Sequence, residues 1–199
     1  MTTHRITGRK SKRAGDSAEA ELLEAARVLR ARGVRLTLRK LPTPTVHARP
    51  APGGAFVARY AAKAGCDMRG TLDGRSLVIE VKSASGTSLP LWRHAKPVLS
   101  VSQLGELQEE HRCGAIAGVM VRLGLPPSGP LWWWLAVGDW TAAVDSATHH
   151  GAKSLSLARL DAFGSRCASI SGLASWPLLP DFVEAMTRGA RIENGIVNV

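Results

Sequence analysis

At 199 residues the chain is long enough for one well-buried domain and short for two, and its 45% apolar content is that of a folded protein, which excludes a disordered basic tail. A net charge of +10 and a pI near 10.4 point to an anionic partner, nucleic acid ahead of membrane. No apolar run reaches membrane-spanning length and the first residues carry no signal-peptide core, so no membrane partner and a cytoplasmic location are expected.

In chain order, residues 1–14 hold Arg5, Arg9, Lys10, Lys12 and Arg13 without an acid, among Gly, Ser and Thr. This reads as a flexible basic arm able to follow a phosphate backbone, leaving 15–199 as a single domain. Residues 16–32 carry a helical stripe, Ala18, Leu22, Ala25, Ala26 and Leu29, with Gly33 placed to end it. Val34 to Lys40 alternates apolar with basic residues and predicts a strand. From Arg27 to Cys66 there is no Asp or Glu, yet Arg27, Arg30, Arg32, Arg35, Arg39, Lys40, Arg49, Arg59 and Lys63 all fall there. Solvated arginines on a helix face are the bland explanation, but two separate regions with the same bias favour DNA contact. Leu41-Pro-Thr-Pro44 and Arg49-Pro-Ala-Pro-Gly-Gly54 break regular structure, and 41–65 reads as a protruding basic stalk.

The centre of the reading is Asp67, followed thirteen residues later by Glu80-Val81-Lys82. Asp73-Gly74 favours a two-residue turn with positive φ, so the flanking segments become arms of a hairpin. Antiparallel arms then return Glu80 to the neighbourhood of Asp67. Glu80 and Lys82 share the even-numbered face, whereas Leu77, Ile79 and Val81 lie on the odd one, which is expected to be core. Two carboxylates so placed can hold a hard divalent cation, which keeps waters and phosphate oxygens in its remaining positions. Lys82 would add charge beside the phosphate. A solvated surface hairpin is the alternative.

Beyond the hairpin a Gly/Ser/Pro-rich loop leads to a helix at Ser100 to His111. Strands are expected at Ala115 to Leu123 and Leu131 to Val137, and a third helix at Asp139 to Ala147. The last fifty residues give weaker signals. Trp132-Trp133-Trp134 could stack on bases, but alternation puts at least one ring in the core, and core or interface packing is the better reading. Cys66, Cys113 and Cys167 show no zinc spacing and read as buried or inert thiols. His111 and His149-His150 lack partner spacing for a metal and read as surface, while Arg93, His94 and Lys96 could touch DNA. There is no Walker-type glycine loop, hence no nucleotide cofactor.

Gly15-Asp-Ser-Ala-Glu19, Lys40-Leu-Pro-Thr-Pro44, Asp67 with Gly70 and Gly74, Glu80-Val81-Lys82 and Thr87-Ser-Leu-Pro-Leu91 resemble the successive motifs of the RecU-type Holliday junction resolvases, within the PD-(D/E)XK nuclease superfamily. The resemblance implies an α/β fold, a restriction-endonuclease-like central mixed sheet flanked by helices. It implies a homodimeric, Mg²⁺-dependent endonuclease, with Mn²⁺ substituting, that nicks opposite strands of a four-way DNA junction. By the same resemblance Asp67, Glu80 and the Val81 carbonyl hold the metal and Lys82 is the catalytic lysine. Glu19 completes the site from the first helix, and Gln103 orients the nucleophile. DNA contacts are expected from Arg13, Arg39, Lys40, Thr43, Arg49, Arg59 and Lys63.

Glu19 and Gln103 also fit N-terminal capping boxes, Asp16-Ser-Ala-Glu19 and Ser100-Val-Ser-Gln103. The family has threonines before the metal-binding Asp where this chain has Gly65-Cys66, and the gap from Leu91 to Gln103 is longer than is usual there. Other readings are a restriction or repair nuclease of the superfamily, a non-catalytic DNA-binding protein and, more weakly, an RNA-directed one.

Overall fold

The computed structural model describes residues 3–42, 45–50, 56–60, 65–93, 95–125 and 129–167, with side chains defined for 15–42, 65–93, 95–124 and 129–167. The elements run α1 (Thr3–Ala31), β1 (Leu36–Lys40), β2 (Thr45–Pro50), β3 (Phe56–Tyr60), β4 (Met68–Leu72) and β5 (Arg75–Ala84). Next come β6 (Ser88–Pro90), β7 (Trp92–Arg93), β8 (Lys96–Pro97), α2 (Val101–Arg112), β9 (Ile116–Leu125) and β10 (Gly129–Ala136). The described part ends with α3 (Val137–His149), β11 (Ser154–Ser156), α4 (Leu157–Phe163) and β12 (Ser165–Cys167).

Six strands form a mixed sheet in the order β1-β4-β5-β9-β10-β12. All neighbours are antiparallel except β5 and β9, which run parallel with Leu77 opposite Ile116 and Lys82 opposite Val121. A parallel pair needs a crossover, and α2 lies within it. The expected apolar stripe of α1 packs on one face, where Ala18, Leu22 and Leu29 join Leu77, Ile79, Trp132 and Trp134. On the other face Val78, Val119, Val121 and Trp133 meet Leu107 of α2 and Trp140 and Ala143 of α3. The mixed sheet flanked by helices is therefore the architecture expected from the sequence.

The β4–β5 hairpin forms as its residues dictate. Asp73 (φ 49°) and Gly74 (φ 85°) both take left-handed backbone between paired Leu72 and Arg75, the conformation that Asp-Gly tolerates best. Gly70 answers a different constraint, since a Cβ there would lie 1.9 Å from the Thr37 carbonyl oxygen of β1. Any side chain at 70 would push β1 off the sheet.

Several expectations change. The odd-numbered face of β5 is core, but so is the even-numbered one: Val78 and Glu80 are as buried as Leu77 and Ile79. A strand with neighbours on both sides and helices over both faces has no solvent face to offer. The helix α1 starts at Thr3, so it takes in most of the segment read as an arm. Within 41–65, β2 and β3 make a two-stranded sheet of their own with a bulge between His47 and Arg49, not an irregular stretch. The loop after β5 contains three short strands: β6 pairs with β11, and β7 with β8.

All three consecutive tryptophans are buried, Trp132 and Trp134 on the α1 side and Trp133 on the other. Trp133 Nε1 donates to Asp161 Oδ1 at 2.8 Å, which satisfies the one polar atom of that ring. Each indole buries roughly 200 Å², so the run anchors both layers and leaves no face for a base. Cys66 and Cys167 are buried as expected, whereas Cys113 is exposed at the end of α2. His149 and His150 are exposed, and His111 is half-buried.

Candidate active site

Asp67 precedes β4 and stands across from Glu80, continuing the register that pairs Met68 with Ile79. Two reciprocal hydrogen bonds fasten the pair. The Asp67 backbone N–H donates to Glu80 Oε2 at 3.2 Å, and the Val81 N–H donates to Asp67 Oδ2 at 2.9 Å. The hairpin thus does more than bring the acids close: each carboxylate is aimed by the other residue's strand.

Glu80 is 1% exposed and is the only buried charged residue among those described. Its Oε1 accepts from Lys82 Nζ and from Gln103 Nε2, the latter at 2.6 Å. Burial pushes its carboxyl up to about 7, and the Asp67 charge adds to the rise, against the opposing pull of Lys82 and the Asp67 N–H. A carboxylate this deep beside a second one is a place where positive charge is missing, since one lysine faces two acids. Lys82, with its side chain 14% exposed, lies on the same strand face two residues on.

Gln103 satisfies both readings made of it. It is the N3 residue of the α2 capping box: its N–H donates to Ser100 Oγ at 3.3 Å and its Oε1 accepts from the Ser100 N–H at 3.1 Å. That leaves Nε2 free to reach Glu80. The cap fixes which end of the amide faces the carboxylate, because the reversed amide would set its oxygen against Glu80.

Reasoning from sequence missed a second network that steadies the approach to Asp67. Glu106 Oε2 accepts from the Cys66 N–H at 3.0 Å, and Arg69 Nη2 lies 2.7 Å from both Glu106 Oε1 and Glu110 Oε1. Gln103, Glu106 and Glu110 share one helix face by their spacing, and this was the available signal. The Cys66 thiol is pushed far up by burial and then by Glu106, so it stays protonated and unreactive.

Glu19 does not join the acids. It pairs with Lys40 Nζ at 2.5 Å, and Lys40 also lies 3.6 Å from Asp16. Among the described residues no three His, Cys, Asp or Glu side chains cluster to hold a metal. The sequence reading of Glu19 as a third member and of Lys40 as a DNA contact meets this ion pair, which raises the lysine's pKa and ties both residues to one another. Arg39 is exposed and lines a cleft of about 450 Å³ with Thr37, Arg69 and Thr71. The side chains of Arg13, Arg49 and Arg59, and Thr43, Lys63 and His94 altogether, lie outside the described residues.

Hard oxygen donors are what this corner offers: two carboxylates fixed to one another and the strand carbonyl of Val81 between Glu80 and Lys82. With no thiolate or imidazole in the set, a divalent cation of the Mg²⁺ or Mn²⁺ kind fits, completed by water and phosphate oxygens. Lys82 opens onto a cleft of about 270 Å³, lined also by Gly15, Ser83, Arg93, Lys96 and Val98. A phosphate entering there would meet three cationic side chains.

The architecture defines a mixed α/β sheet with its acidic site at one end of the central hairpin. No family model and no curated protein matches this chain. Among solved structures it is similar to Hjc of Archaeoglobus fulgidus, a Holliday junction resolvase from an archaeal hyperthermophile. Identity is 19%, with 64% of this chain and 78% of that one covered and a TM-score of 0.34. Likeness at that level transfers no residue roles. No described helix is long and apolar enough to cross a membrane.

Proposed function

We propose that the chain is a metal-dependent endodeoxyribonuclease that cuts four-way DNA junctions, with 15–199 as one nuclease domain acting as a homodimer that makes paired symmetric nicks. The observation that carries this reading is the buried Glu80, joined to Asp67 by reciprocal backbone bonds and touched by Lys82 and Gln103. A buried carboxylate beside a half-buried one is costly to fold around and serves no packing purpose. The net charge of +10 and the acid-free stretch from Arg27 to Cys66 support DNA as the substrate. The Pro-Thr-Pro motif and its neighbours support a junction over a linear duplex.

When bound by Asp67, Glu80 and the Val81 carbonyl, Mg²⁺ or Mn²⁺ would supply Lewis acidity and an acidified water. The protein's own residues do the rest. Asp67 and Glu80 hold fixed positions because the Glu80 carboxylate accepts from the Asp67 N–H and the Asp67 carboxylate accepts from the N–H of Val81, the residue after Glu80. Lys82 neutralises Glu80 in the resting arrangement and borders the cleft, where its ammonium can face a phosphate oxygen. Gln103 holds the Glu80 carboxylate in one rotamer. Positioning and charge compensation are the means by which a barrier lowered by roughly 20 kcal/mol is reached for phosphate esters.

The test is cleavage of a four-way junction labelled in turn on each strand, beside a duplex of matched sequence, in Mg²⁺, Mn²⁺ and EDTA. Paired symmetric nicks in the junction with either metal, and none in EDTA, are expected. Cutting of the duplex alone would make it a nuclease of another specificity. No cutting with either metal, alongside salt-sensitive binding, would make it a DNA-binding protein.

A further inference from the structure

Two large apolar side chains among the described residues face solvent, and one of them, Trp92, is 57% exposed. Every other described tryptophan is buried. Single exposed apolar residues need no special account, but the setting of this one does. Trp92 opens β7, which pairs with β8 as Trp92 with Pro97 and Arg93 with Lys96. The small hairpin is braced from below. Val98 N–H donates to the Leu91 carbonyl at 2.8 Å, Leu91 N–H to the Lys153 carbonyl at 3.0 Å, and Arg93 Nη2 to the Ser83 carbonyl of β5 at 2.8 Å. Leu91 itself is buried in the core. The indole is therefore held outward by a fixed base, one residue from a buried anchor.

The hairpin that carries it also carries two cations, as the Arg93–Lys96 pair next to Trp92–Pro97. Arg93 and Lys96, both exposed, line the same cleft as Lys82. An exposed aromatic ring on the same two-stranded hairpin as two cleft-lining cations suits a single strand: cations take phosphates and the ring takes a base face. A duplex hides its base faces, whereas the strands at a branch point expose them at little cost.

We propose that Trp92 stacks on an unpaired base of the strand entering the active-site cleft, with Arg93 and Lys96 on that strand's phosphates, so that the β7–β8 hairpin selects unstacked DNA at a branch. The proposal rests on the nuclease reading for the identity of the cleft. It goes beyond that reading in naming the hairpin and the feature of DNA it selects.

The experiment measures binding in EDTA, where no cutting occurs, for wild type, Trp92→Ala, Trp92→Phe and Lys96→Ala. Fluorescence anisotropy is read against a four-way junction, a single strand and a matched duplex over a range of salt. Trp92→Ala should weaken junction and single-strand binding on the order of tenfold and duplex binding far less, and Trp92→Phe should restore most of it. Its salt slope should match wild type, while that of Lys96→Ala falls by about one. A junction carrying 5-iodouracil at the branch should cross-link to the peptide containing Trp92. Equal binding by Trp92→Ala and wild type would overturn the proposal, as would equal loss in the Ala and Phe variants. A change of oligomeric state in Trp92→Ala with unchanged affinity would also overturn it and make the ring an interface between copies. The two readings fail separately: wild type that binds through Trp92 but cuts nothing in Mg²⁺ removes the nuclease reading alone. Wild type that cuts while Trp92→Ala binds normally removes this proposal alone.

Discussion

Two clusters between the β4–β5 hairpin and α2 have the same charge inventory, two carboxylates and one cation. Glu106, Glu110 and Arg69 form one; Glu80, Asp67 and Lys82 form the other. They differ in water. The first is partly exposed on every member, and its charge-assisted bonds raise the Arg69 pKa through Glu106 in the ordinary way of an ion-pair clasp. In the second, Glu80 is sealed in, and burial drives its carboxyl up to about 7. Equal charges thus make a clasp where solvent can screen them and a site avid for further positive charge where it cannot.

The largest expected effect breaks the comparison at its chemistry. Glu80→Gln or Asp67→Asn should lower single-turnover junction cleavage in Mg²⁺ by a factor on the order of 10³ or more while binding persists. Glu110→Gln, in the clasp, should stay within about tenfold of wild type. Equal losses in both clusters would erase the distinction.

Stability against pH sharpens it next. The folded Glu80 carboxyl, near 7 instead of the usual 4.5, keeps a proton that the unfolded chain releases. Its contribution is full below about 4.5 and is lost as pH rises through about 7. Without divalent metal, urea unfolding should show wild type losing on the order of 3 kcal/mol across that window relative to Glu80→Gln. Added Mn²⁺ should recover much of it, because the metal binds the deprotonated form. A wild-type profile parallel to that of Glu80→Gln would contradict the assignment.

Arg69→Met tests the clasp itself. It strands Glu106 and Glu110 and loosens the hold on Cys66, at a cost of roughly 1–2 kcal/mol in urea unfolding. The metal dependence of cleavage should not move. Smallest of all, Ser100→Ala and Gln103→Ala should each cost about 1 kcal/mol of stability as cap losses. Only Gln103→Ala should also slow cleavage, by about tenfold, because only Gln103 touches Glu80.

Local chemistry was legible from the sequence. Asp73-Gly74 fixed a turn, the turn fixed the register, and the register set Asp67 opposite Glu80; the stripe from Ala18 to Leu29 and the Ser100 cap were equally plain. What required the third dimension was whatever depends on neighbours far along the chain. Val78 reads as half of an alternating pattern, yet β9 beside β5 and α2 above it bury both faces. Arg69 and Glu106 lie 37 residues apart and look like two ordinary surface charges until α2 folds back over the hairpin. Glu19 sits in the right stretch of α1 for the site, but Lys40 at the end of β1 reaches it. Trp92 carried no periodic signal at all, since β7 is two residues long.

The most direct measurement of the central claim is calorimetric titration of Mn²⁺ into the protein without DNA, for wild type, Glu80→Gln, Asp67→Asn and Glu110→Gln. Wild type and Glu110→Gln should bind one shared class of site, with affinity rising as pH passes about 7, and the Glu80 and Asp67 variants should lose it. Retention of that site at wild-type affinity by Glu80→Gln would contradict the account.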